Sequence, residues 1–191
     1  MHICKIKSLL LKNFFFYRWA VIKDFLDIFN NMSAAYLLTE GSLINFYRNF
    51  SCGKDDVDFA IELKWWMEAD NKKQMATMLE EKGIWKYDTF GEFGQTGYEE
   101  KWQRDGIKVD LFSSYRGKNN HSIAMWVNRV PMRCTFPMWG AEMFSWWEGR
   151  KVRIPLPTRK VVETMAGPNW RIPMNQWRWD LDPFLTGYCR Y

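Results

Sequence analysis

Two aspartates alternate inside a run that is otherwise apolar, Asp56-Val57-Asp58-Phe59-Ala60-Ile61. In an extended strand successive side chains point to opposite faces, so this run places Asp56 and Asp58 on one face and turns Val57 into a core. A third aspartate, Asp110, is set in a similar run, Ile107-Lys108-Val109-Asp110-Leu111-Phe112. Aspartate is disfavoured in strands, and more so between Val, Leu, Ile and Phe, so these positions call for a reason beyond solvation. Upstream, Leu37-Leu38-Thr39-Glu40-Gly41-Ser42 reads as a short strand running into a Gly-Ser turn.

Adjacent carboxylates repel unless a cation neutralises them, and hard divalent cations take oxygen ligands. Asp56 and Asp58, completed by Asp110 from a neighbouring strand, are therefore the candidate ligands of one or two Mg2+ (or Mn2+) ions. Gly41 and Ser42, opening a helix, offer backbone N–H groups and a hydroxyl to a phosphate. Asp55 reads as a turn or boundary residue. The net charge of +5 suits an anionic ligand. Basic residues are scattered, with no Lys/Arg run longer than three, so a phosphate-bearing small molecule fits better than nucleic acid. No Gly-x-Ser-x-Gly elbow is present, and His2 and His121 lie too far apart in the chain to suggest a histidine-centred site. The four cysteines, Cys4, Cys52, Cys134 and Cys189, form no CxxC pair, which speaks against a zinc knuckle and leaves disulfides or free thiols open.

With 191 residues, of which 47% are hydrophobic and 12 are Trp, the chain supports one domain with a sizeable core. Residues 9–29 are apolar, but Lys12, Arg18, Lys23, Asp24 and Asp27 interrupt them, so an amphipathic helix covering a sheet is expected. Strands are expected at 35–38, 57–63, 84–87 and 98–102, with Asp105-Gly106 as a hairpin turn into the Asp110 strand. Helices are expected from Ser42, as the cap, to Arg48, over 66–82 with Gly83 as the stop, and from Thr158 to Met165 with Gly167 as the end. Residues 113–140 read as loop-rich, and Val152-Arg153-Ile154-Pro155 as an edge strand. The expectation is a single α+β domain over 25–191, helices on a small mixed sheet, preceded by a helical segment over 1–24.

The order strand, Gly-Ser, helix, Asp-x-Asp strand and later Asp resembles the nucleotidyltransferase superfamily. Gly41-Ser42-Leu43-Ile44-Asn45-Phe46-Tyr47-Arg48 followed by Asp55-Asp56-Val57-Asp58 resembles the LicD/fukutin family within it. So do Gly167-Pro168-Asn169-Trp170-Arg171-Ile172-Pro173 and Trp177-Arg178-Trp179 in a Trp-rich C-terminal extension, and fukutin-like animal members look nearest. The resemblance covers about residues 25–183 and departs at Lys54, where many members carry an acid, and at Gly53, where they carry Trp.

That resemblance implies a Mg2+-dependent transferase moving a phospho-alcohol unit, of the ribitol phosphate or phosphocholine type, from a CDP-linked donor to a glycan or glycoprotein acceptor. Asp56 and Asp58 would hold the metal, and Asp110 would complete its shell or take the acceptor's proton. Gly41, Ser42 and Arg48 would contact donor phosphate. It further implies the secretory pathway, Golgi or ER, with membrane association through or near the N-terminus; a cytoplasmic location stays open. A catalytically inactive binding relative is the competing reading, in which the Lys54 ammonium takes the metal's position. Trp170, Trp177 and Trp179 are expected to be structural.

Overall fold

A computed structural model describes residues 2–49, 56–94, 97–117, 120–127, 130–137, 141–172 and 189–190. The chain opens with α1 (His2–Asn31), then β1 (Tyr36–Leu38), α2 (Glu40–Asn49) and β2 (Val57–Glu62). Next come α3 (Leu63–Met67), α4 (Asn71–Glu81), β3 (Trp85–Phe90), β4 (Glu99–Arg104) and β5 (Ile107–Arg116). The remaining elements are β6 (Asn120–Val127), β7 (Val130–Pro137), β8 (Ala141–Trp147), β9 (Arg150–Leu156), α5 (Thr158–Ala166) and β10 (Cys189–Arg190). This is the expected α+β architecture, helices packed on a mixed sheet.

The centre of the sheet is β2 and β5, which run parallel, with β1 antiparallel on the other side of β2. On β5, residues 107–112 pair with β4 and residues 114–116 with β6, both antiparallel. From there β3 extends β4, while β7 and β10 extend β6. The β8–β9 hairpin stands as a separate two-stranded sheet.

Period-2 alternation decides which face meets the helices. Val57, Phe59 and Ile61 of β2 and Val109 and Leu111 of β5 are buried, against α1 residues that include Ile22, Phe25, Leu26 and Phe29. Phe59 lies 5.2 Å from Phe29 and 6.2 Å from Phe25 between ring centroids. The ion pair between Arg104 and Asp24, at 2.7 Å, fastens α1 to the end of β4. Helix α1 passes without a break through residue 24, where a segment boundary was expected, and Val21 and Ile22 share the core with Phe25.

Several expectations are corrected. Residues 113–140 are not mainly loop, since β5 continues to Arg116 and β6 and β7 pair along their whole length. Pro131 and Pro137 hid β7, because proline cannot donate to a ladder and argues against a strand. The helix expected over 66–82 is two helices, separated where Ala69 adopts a left-handed φ of 46°. Asp105 and Gly106 do form the tight turn, with φ of 52° and 77°, as a two-residue hairpin with both central residues left-handed requires. Gly83 and Gly167 end their helices with φ of 70° and 73°.

Candidate active site around Asp58 and Asp110

The register of the two central strands sets the site. Asp58 pairs with Asp110 across β2 and β5, and Asp110 pairs with Lys101 across β5 and β4. Paired residues project from the same face, so Asp58, Asp110 and Lys101 form one row across three strands, away from the helix-covered core. Glu99, two residues before Lys101, shares that face, and Asp88 of β3 stands opposite Lys101. Asp56 immediately precedes β2 and is exposed. Its carbonyl accepts a bond from Arg18 Nη2 at 3.3 Å, which ties the entrance of β2 to α1.

Ser42 is committed to Asp58. Its Oγ accepts the Asp58 backbone N–H at 2.9 Å and donates to Asp58 Oδ2 at 3.1 Å, while its own N–H donates to Oδ2 at 3.3 Å. The serine therefore does not cap α2. That helix starts two residues earlier, at Glu40, and Ser42 orients the carboxylate instead. A Cβ placed on Gly41 would sit 3.6 Å from Asp58 Oδ2, an ordinary contact, so crowding does not demand glycine there.

Asp110 is 6% exposed; its Oδ2 lies 3.4 Å from Lys101 Nζ, and its Oδ1 is buried with no hydrogen-bond partner among the described residues. Burial, together with Glu99 and Asp56, pushes its carboxyl up to about 7 against the opposing pull of Lys101. Asp58 is also raised well above the usual range, by burial first and then by Asp110, with the Ser42 bonds opposing. Burial works against the charge on Lys101, but Asp110 and Glu99 outweigh it and hold the ammonium above its ordinary range. The Tyr87 hydroxyl, pushed up to about 12 by burial and next by Asp110, borders the same charges.

Of the six residues singled out in the sequence, Asp56, Asp58, Asp110, Gly41 and Ser42 come together. Arg48 is engaged elsewhere: Nε donates to the Trp170 carbonyl at 3.0 Å, and Nη2 donates to the same oxygen. Trp170 is buried, with its ring 5.2 Å from that of Tyr47. Lys54, Asp55, Trp177 and Trp179 lie outside the described residues.

Sequence reasoning missed Lys101, Glu99 and Glu40. Lys101 and Glu99 were within reach, since counting back from the two-residue turn at Asp105-Gly106 puts Lys101 opposite Asp110. Glu40 has a left-handed φ of 47°, is 1% exposed, and carries no partner on either carboxylate oxygen among the described residues. Burial, and then Asp58, raise its carboxyl well above the usual range. An unpartnered buried acid with strained backbone beside a carboxylate pair belongs to a functional site more often than to a scaffold.

As the side chains stand, no three Asp, Glu, His or Cys among the described residues are grouped to ligate one metal ion. The reason is local: Asp58 Oδ2 is turned to Ser42 and Asp110 Oδ2 to Lys101. The donor set nevertheless suits a hard cation, because Asp58, Asp110 and Glu99 offer carboxylate oxygens on one face and Asp110 Oδ1 has no partner among the described residues.

No protein-family model matches the chain. In an alignment 165 residues long that covers 81% of the chain, it is 25% identical to "Ribitol-5-phosphate transferase FKTN" of Macaca fascicularis. The human protein of the same name matches with the same identity and coverage. The chain spans about a third of the length of these relatives, 33%. Over most of its own length it is therefore similar to one part of proteins named as ribitol-5-phosphate transferases.

Proposed function

We propose that the chain is a divalent-cation-dependent transferase. It moves a phospho-alcohol unit of the ribitol phosphate type from a CDP-linked donor to a hydroxyl of a glycan or glycoprotein acceptor. The observation that carries this is the in-register pairing of Asp58 with Asp110, one clamped by Ser42 and the other keeping a buried, unpartnered oxygen. Similarity to the two ribitol-5-phosphate transferases supplies the substrate class.

In this reading Asp58 and Asp110 would hold the cation, with Asp56 nearby. Bound Mg2+ would offset the charge of the donor diphosphate, where phosphoryl transfer is governed by positioning and electrostatics. Ser42 holds Asp58 through three bonds, two donated to the carboxylate Oδ2 and one accepted from the Asp58 backbone N–H. Gly41 leaves room for a donor phosphate beside that carboxylate. The acceptor oxygen bonds to the phosphorus that carries the alcohol, the bond to the CMP oxygen breaks, and the hydroxyl proton passes to a site carboxylate. Arg48, engaged with Trp170, has no part in this scheme.

Cys134 is disulfide-bonded, and Cys189 is its register partner across β7 and β10. Disulfides persist in oxidising compartments, which supports a place in the secretory lumen, Golgi or ER. Among the described residues no helix is long and apolar enough to cross a membrane.

The test is CMP release from CDP-ribitol in the presence of Mg2+ and an acceptor glycan, by wild type and by Asp58→Asn. Release by wild type alone supports the reading. A wild type that binds acceptor but releases no CMP would favour the inactive binding relative.

A further inference from the structure

A base stands where a second cation would be expected. Lys101 Nζ lies 3.4 Å from Asp110 Oδ2 and 3.0 Å from Glu99 Oε1, and 5.3 Å from the centre of the Phe90 ring. Its side chain is 23% exposed, while those of Asp110 and Glu99 are 8% and 1% exposed. The ammonium thus lies between two buried carboxylates and over an aromatic ring, in the same row as Asp58.

In two-metal phosphoryl-transfer sites the ions sit about 3.5–4 Å apart, and a shared carboxylate gives one oxygen to each. Asp110 is the residue placed to be shared, because it lies between Asp58 and Lys101. Of its two oxygens, Oδ2 already faces a positive charge, and Oδ1 has no partner among the described residues. A divalent ion at Oδ2 would have to displace the ammonium, since two positive species in so small a space repel.

Building on the cation-dependent reading above, we propose that the Lys101 ammonium occupies the place of the second divalent cation. The site then takes one divalent ion per chain, between Asp58 and Asp110 Oδ1. Lys101 acts as a positioning residue: it aims Asp110 and sets the number of ions. It also leaves a fixed positive charge beside the donor diphosphate that does not depend on metal concentration. A lysine that merely joined β4 to β5 would hold the strands together without affecting how many ions bind.

The experiment is a Mn2+ titration of the metal-free chain, with free Mn2+ followed by electron paramagnetic resonance and the bound ions competed off by Mg2+. Wild type is expected to bind one Mn2+, and Asp58→Asn none. Lys101→Arg, which keeps the charge, should still bind one. Lys101→Met should bind two. Because that change removes the Lys101 ion pair from the buried Glu99, the double variant Lys101→Met/Glu99→Gln is titrated as well, and each variant is first shown to melt cooperatively. Two ions in wild type, or one ion in both lysine-less variants, overturns the role of Lys101 and leaves the cation-dependent reading standing. No ion in wild type overturns both.

Discussion

Asp58 and Asp110 share one register position on adjacent parallel strands, so their carboxylates rise from the same face one strand spacing apart, about 4.8 Å at the backbone. Burial first displaces each toward its protonated form, and neighbouring carboxylates add to it, Asp110 at Asp58, and Glu99 and Asp56 at Asp110 against the pull of Lys101. Folding therefore works against these residues in the absence of a cation.

Removing one of the charges should relieve that opposition. Asp58→Asn is expected to melt at the wild-type temperature or slightly above it in chelator, because the amide oxygen still accepts from Ser42. Stabilisation by Mg2+ with CDP should disappear. A large drop in melting temperature without metal would show that Asp58 is a structural anchor.

The pH dependence has a definite sign. The Asp110 carboxyl is near 7 in the folded chain against an ordinary 3.8. Between about pH 4 and 7 the folded chain therefore binds more protons than the unfolded chain, and metal-free stability falls as pH rises through that window. Asp110→Asn should make the fall shallower, read from thermal melts in chelator across the window. An unchanged slope would mean that Asp110 titrates normally.

Ser42→Ala removes the acceptor of the Asp58 N–H and one donor to Oδ2. Leaving a buried donor unmet costs about 1–3 kcal/mol. A lower melting temperature and weaker Mg2+-dependent CDP binding are expected, with Ser42→Thr restoring part of both. Full stability with binding intact would contradict the clamp.

The Trp170 contact should be structural. Replacing a buried Trp by Ala costs about 3–5 kcal/mol, and Arg48→Ala, which leaves the Trp170 carbonyl unmet, about 1–3 kcal/mol. Urea unfolding checks both. Arg48→Ala with normal stability and selectively lost CDP binding would return the guanidinium to the donor site.

The central strands could be read before folding was known, because alternation around Asp58 and Asp110 is a local, period-2 signal. The Asp105-Gly106 turn was equally plain, since its backbone demands those residue types. Strands β6 and β7 were not readable in the same way: Pro131 and Pro137 break the propensity pattern, and what holds them is pairing along the full hairpin. Glu99 and Glu100 were legible only as part of a strand over 98–102. Tertiary structure buries them on opposite faces, Glu99 with Lys101, and Glu100 with Lys72, Lys86, Tyr98 and Trp102. Ser42 looked like a cap because a small hydroxyl beside a helix start usually is one, and only the approach of β2 showed that the hydroxyl serves Asp58.

The most direct measurement is calorimetric titration of the wild-type chain with CDP, with and without Mg2+, beside UDP, GDP and ATP. The account predicts that CDP binds with Mg2+ and not in chelator, more tightly than the other nucleotides, and that Asp58→Asn abolishes this binding. A folded wild type that ignores both Mg2+ and CDP would contradict it.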